Sequence, residues 1–136
     1  MSYGSKGLND LRDEATAIAK AHGFTDSSVG EDIALMHSEL SEALEDYRQG
    51  HAATDLWYEE PGHSNVKCKS MLIKLEDGSF DLKNPRKPCG IPSEIADVII
   101  RALHFCGKHG IDIESAVREK MFYNESRPFK HGGKKL

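Results

Sequence analysis

Two pairs of carboxylates, Glu39-Leu-Ser-Glu42 and Glu94-Ile-Ala-Asp97, constrain this chain more than any other feature. Each pair lies inside a stretch with helical periodicity, and at about 100° per residue positions i and i+3 leave a helix from nearly the same side. Like charges so close repel, and a chain that needed only stability would keep them apart. Either pair alone reads as an ordinary solvated acidic face, because such spacings are common on surface helices. Two pairs, each bordering an apolar stripe, instead point to a polyvalent cation held between two helices. Oxygen-only ligands select hard cations, and Mg²⁺ in particular bridges protein carboxylates to substrate phosphates.

The rest of the chain reads as the frame for those helices. Leu8, Leu11, Ala15, Ile18 and Ala19 recur at helical spacing and Gly23 follows as a terminator, which predicts a first helix. A second is expected over 31–49, with Ile33, Met36, Leu40, Ala43, Leu44 and Tyr47 as its buried stripe and Gly50 beyond it. The third is expected from Pro92-Ser93, with Ser93 as N-cap, to the Gly107–Gly110 region, burying Ile95, Val98, Ile99, Ala102, Leu103 and Cys106. The fourth opens at Asp112, turns Ile113, Ala116, Val117 and Met121 inward, and stops at Arg127-Pro128. Residues 51–90 break the pattern. Trp57-Tyr58 stands in a loop context, and the alternation of Met71, Ile73 and Leu75 before Glu76-Asp77-Gly78-Ser79 predicts a β-hairpin. The segment has too little apolar mass for a core of its own. The expected fold is therefore all-α: a bundle of about four helices in one domain, 1–136, with 51–90 as a hairpin-and-loop insertion between the acidic helices. Self-association, as a dimer, is expected to complete the bundle.

Composition narrows the functions. A length of 136 residues suits one domain. No run of about 18 apolar residues exists for a membrane span, and the first residues lack the apolar stretch of a secretory signal. A cytoplasmic location is expected. The net charge of −4 argues against a dedicated nucleic-acid binder. Basic residues at Lys67/Lys69, Arg86/Lys87 and Lys130 to Lys135 read as solvated loops unless they meet an anionic ligand. The three cysteines, Cys68, Cys89 and Cys106, form no CxxC and fit a reducing compartment. A zinc site from His63, Cys68 and Cys89 lacks ligand spacing and a fourth partner. There is no phosphate-binding GxxxxGK[ST] loop and no nucleophile elbow.

A second constellation lies on the fourth helix. Lys120, Asn124 and Arg127 are spaced to share one side. Two cations and an amide suit phosphate oxygens and a sugar or base edge, although cations also simply favour the negative end of a helix dipole. Taken in order, Glu39-x-x-Glu42, Glu94-x-x-Asp97 and Lys120-x-x-x-Asn124-x-x-Arg127-Pro128 resemble the MazG-type all-α nucleoside triphosphate pyrophosphohydrolases. The similarity covers both acidic helices and runs from about Lys87 to the tail, through IPSEIADVIIRALHFCGKHGID and KMFYNESRPFKHGGKKL. The stretch from Gly50 to Lys87 departs from the family's compact helical linker.

The resemblance implies hydrolysis of a nucleoside triphosphate between the α and β phosphates, giving the monophosphate and pyrophosphate. It implies Mg²⁺, with Mn²⁺ as a substitute, and a homodimer or dimer of dimers. By the same match Glu39, Glu42, Glu94 and Asp97 are the metal ligands, Lys120 and Arg127 steady phosphates, and Asn124 hydrogen-bonds the nucleotide. A carboxylate not fully committed to metal is expected to take a proton from water; Glu39 is the expected base, although spacing does not separate ligand from base. His37 and Trp57 are further candidates for the nucleotide, set against a surface histidine and an aromatic cover for the bundle. Arg101, one turn after Asp97, is expected to pair with the acidic cluster. A di-iron carboxylate bundle would need Glu-x-x-His pairs, which neither acidic pair supplies. A non-catalytic scaffold or nucleotide-sensing module is the alternative from another class.

Overall fold

The architecture is that of a computed structural model, which describes residues 7–133 and 135, without the side chains of residues 64, 65 and 131. Four helices dominate: α1 (Leu8–Ala21), α2 (Val29–Arg48), α3 (Ile91–Lys108) and α4 (Ile113–Ser126), with a last single turn, α5 (Lys130–Gly133). Their ends follow local chemistry. Ser28 caps α2, its hydroxyl accepting from Glu31 N at 3.2 Å, so the helix starts two residues before the expected Glu31. Asp112 caps α4 as expected, accepting from Ser115 N at 3.0 Å. Ser93 is not the cap of α3. It lies inside the first turn and donates to Pro88 O at 3.0 Å, while the Gly90 carbonyl receives Ser93 N and Glu94 N.

The all-α expectation is wrong. Between α2 and α3 the chain builds two small antiparallel sheets, and the fold is mixed α/β. One sheet has three strands, β1 (Trp57–Glu60), β2 (His63–Cys68) and β5 (Lys87–Cys89), ordered β2-β1-β5. The other is the expected hairpin, reduced to β3 (Ile73–Lys74) and β4 (Phe80–Asp81) around a turn in which Gly78 takes φ 87°. The missed element is the three-stranded sheet, with β1 at its centre. Read as a loop, Trp57-Tyr58 is in fact the central strand, with Trp57 opposite Cys89 and Tyr58 between Cys68 and Pro88. Glu59 faces Lys67 on one side and Lys87 on the other, an opposite-charge placement that favours this register. Pro88 is tolerated because β5 is an edge. Arg86 then ties the sheet to the hairpin's approach, bonding Glu60 Oε1 at 3.1 Å, Ser70 O at 3.2 Å and, through its backbone, Met71 O at 2.8 Å.

The chain forms two compact units, Met1–Ser27 with Ala102–Leu136, and Ser28–Arg101; the division falls inside α3. The first is helical. Asn9 joins α1 to α4 by donating to Asp112 Oδ1 at 2.9 Å and accepting Ile113 N at 3.1 Å, so a side chain of one helix caps the other. Arg12 donates to Ile111 O at 2.8 Å, and Leu103 and Cys106 are buried. The second unit holds α2, both sheets and the first turns of α3.

The expected burial is only partly realised. On α2 Ala43 is buried, but Ile33, Leu40, Leu44 and Tyr47 are exposed. On α3 Leu103 and Cys106 are buried while Ile95 and Ile99 are exposed, and Leu11, Ile18 and Met121 of the helical unit are exposed as well. These residues form stripes on single faces, as the periodicity requires, yet among the described residues those faces are left partly open.

Gly90, between β5 and α3, is the turn on which the second unit depends. Its φ is 109°, and a Cβ there would run into Asp55 O and press on Trp57. Gly90→Ala should destabilise the protein by about 2 kcal/mol or more, read as a fall in the urea midpoint, because strain and collision act together.

Candidate metal centre

The acidic pairs converge. Glu39 and Glu42 lie on successive turns of α2, and Glu94 and Asp97 on the first two turns of α3, all within the Ser28–Arg101 unit. Oxygens of Glu39, Glu94 and Asp97 fall within 4.8 Å of one another, the one such group of potential metal-binding side chains among the described residues. Glu42 is exposed as a residue, but its carboxylate reaches Glu94. Glu39 is buried, at 8% exposure.

Electrostatics shows how much this arrangement costs without a cation. Burial, then a hydrogen bond and charge from Glu42, then the charges of Asp97 and Glu39, push the Glu94 carboxyl up to about 7. Burial and the charge of Glu39 also raise Asp97, opposed by Arg101 and Lys87. Glu94 Oε2 is buried and meets no donor. Carboxylates cannot donate to one another unless one is protonated, so that oxygen is satisfied by a proton shared with Glu42 or by a cation. The donor set fits a hard divalent ion: carboxylate oxygens only, closely spaced, one of them buried and unsatisfied.

Two positive groups lean on the cluster. Arg101 pairs with it as expected, Nε donating to Glu39 Oε1 at 2.7 Å. Lys87, read from sequence as a solvated loop charge, lies near enough to favour the ionised form of Asp97. Its approach follows from the position of β5 just before α3, which the missed sheet concealed. Buried Asp32 on α2 also went unnoticed, because apolar periodicity carries no signal for a buried charge.

Lys120, Asn124 and Arg127 belong to the helical unit. Lys120 Nζ and Arg127 Cζ stand 5.6 and 5.8 Å from the Tyr123 ring centroid, and Arg127, just past the end of α4, donates its backbone N–H to Asn124 O. Lys120 and Asn124 are exposed, as is His37 on α2. Trp57 is engaged: His51 stacks on it with centroids 4.3 Å apart, Lys67 Nζ lies 4.4 Å over its ring, and its N–H reaches Glu59 Oε1 at 3.2 Å. A base stacking there would compete with those partners. Cys68 and Cys89 are free thiols opposite successive residues of β1, which point to opposite faces of the sheet. They do not build a zinc site.

The raised Glu94 carboxyl makes stability depend on pH. Its folded value of about 7 exceeds the ordinary 4.5, so this stabilising contribution is complete below about pH 4.5 and lost as pH rises through about 7. In EDTA, thermal stability should fall between pH 5 and 8. Glu94→Gln should flatten that fall by about 1–2 kcal/mol, leaving the part due to Asp97; an unchanged slope would detach Glu94 from the cluster.

No helix of the described residues is long and apolar enough to cross a membrane. No protein-family model, characterised protein or solved structure matches the chain.

Proposed function

We propose that the chain is a Mg²⁺-dependent nucleoside triphosphate pyrophosphohydrolase, cleaving between the α and β phosphates to give the monophosphate and pyrophosphate. The observation that carries the reading is the convergence of Glu39, Glu94 and Asp97, from two helices, with Glu42 against Glu94 and a buried oxygen left for a cation. The substrate class comes from the resemblance of the ordered acidic pairs and the Lys120–Arg127 set to MazG-type enzymes.

In this reading the four carboxylates hold the ion, Mg²⁺ or Mn²⁺, which when bound neutralises the triphosphate and acidifies a water. Glu39 is the proposed base as well as a ligand, and it would take the water's proton on a carboxylate oxygen not committed to the ion. Lys120 and Arg127 are cations suited to phosphate oxygens, and Asn124 supplies an amide to the nucleotide.

A second copy of the chain is the proposed partner. Ile33, Leu40, Leu44 and Tyr47 form an exposed apolar stripe on α2, roughly 20 Å long at the helical rise, and Ile95 and Ile99 are exposed on α3. A stripe of this length on one helix face is what helix pairing buries.

Pyrophosphate release from a panel of canonical and modified (d)NTPs, with and without Mg²⁺, tests the activity. Glu42→Gln and Asp97→Asn should each lower turnover by more than roughly a hundredfold with the far-UV CD unchanged. No release from any member of the panel overturns the reading, and tight nucleotide binding without turnover favours a nucleotide-sensing module. For the partner, sedimentation velocity should give a dimer or a dimer of dimers, and Leu40→Asp should weaken association by roughly a hundredfold; a wild-type monomer at high concentration removes the second copy.

A further inference from the structure

Arg101 is a fixed positive charge placed where a divalent cation is expected. Its guanidinium does not deprotonate in proteins, so pH does not remove it. It holds Glu39 Oε1 at 2.7 Å, in a charge-assisted bond that is shorter and stronger than a neutral one. The Glu39 side chain is 11% exposed but that of Arg101 is 39% exposed. The pair is therefore closed on the carboxylate side and open to solvent on the guanidinium side, along a stem long enough to swing away. Arg101 also favours ionised Asp97, a second member of the group.

A cation entering among Glu39, Glu94 and Asp97 meets this arrangement in two ways. It competes for a carboxylate already bonded, and it is repelled by a like charge beside that carboxylate. Removing the guanidinium relieves both. We propose that Arg101 is the displaceable counter-ion of this site: it holds Glu39 in the metal-free protein and gives it up as a divalent cation takes the carboxylates. Metal affinity is then set by exchange of guanidinium for metal rather than by the carboxylates alone. The inference rests on the reading of the quartet as a divalent-cation site, not on the reaction that follows.

The sign of the effect separates this role from a structural one. Were Arg101 only a prop for Glu39, its loss would loosen the site and weaken binding. Exchange requires the opposite. Mn²⁺ alone, without nucleotide, is titrated into wild type, Arg101→Gln, Arg101→Met and Arg101→Lys, with free Mn²⁺ read by EPR. The two neutral variants should bind about tenfold tighter than wild type, while Arg101→Lys, which keeps the charge, should stay within roughly threefold of it. Wild-type binding with no tightening in folded neutral variants overturns the exchange and leaves the cation site standing. No Mn²⁺ binding by any of the four proteins overturns both. A measurement on wild type needs no variant to fold: the Arg101 side-chain Nε–H resonance, hydrogen-bonded in EDTA, should shift and exchange faster on saturation with Mg²⁺. A resonance unmoved at saturation also refutes the exchange.

Discussion

Four carboxylates drawn together by α2 and α3 are the constraint around which the Ser28–Arg101 unit is arranged. Two unit charges a few ångströms apart interact weakly in water and far more strongly as the surroundings become less polar, and Glu39 is buried. The repulsion is visible in the raised carboxyls of Glu94 and Asp97. Three things offset it without any metal: the Arg101 guanidinium, the nearby Lys87, and protonation of Glu94 near neutral pH. Glu94 also lies in the first turn of α3, where the helix dipole favours negative charge. Each is a partial remedy, which is why the cluster reads as a place for a cation rather than as a stabilising network.

The small sheet has a positional role in that unit. β1 receives β5 along one edge, and β5 ends at Gly90, whose unusual φ turns the chain into α3. The first acidic residue of α3 follows within one turn. Lys87 is carried into reach of Asp97 by the same short path. Residues 51–90 are therefore more than a decoration between the acidic helices: their last strand determines where the second pair begins. The apolar stripes tell a complementary story, since among the described residues faces patterned for burial are left partly open.

The helices were legible because their signals are local. Asp112, Gly23 and Gly50 mark ends through local backbone contacts or a positive φ. The hairpin around Gly78 was legible for the same reason. β1 was not, because a four-residue strand carries almost no periodic signal, and its pairing with Lys87–Cys89 joins residues about thirty positions apart. Ser93 misled because it is a good capping residue beside a proline, whereas α3 begins earlier, at Ile91, directly after the positive φ of Gly90. Burial was overread on Ile33, Leu40 and Leu44: periodicity identifies a common face but does not say what covers it.

Sequence by itself determined the four helices, their apolar faces and the pairing of Glu39 with Glu42 and of Glu94 with Asp97, since helical geometry alone puts residues three apart on one side. It also foresaw Arg101 beside the acidic residues. Only the tertiary structure decided that both pairs meet, that Glu94 rather than its neighbours carries the buried unsatisfied oxygen, and that residues 51–90 form sheets. Those outcomes depend on which distant segments come into contact and how much water they exclude, quantities that no local pattern of residues encodes.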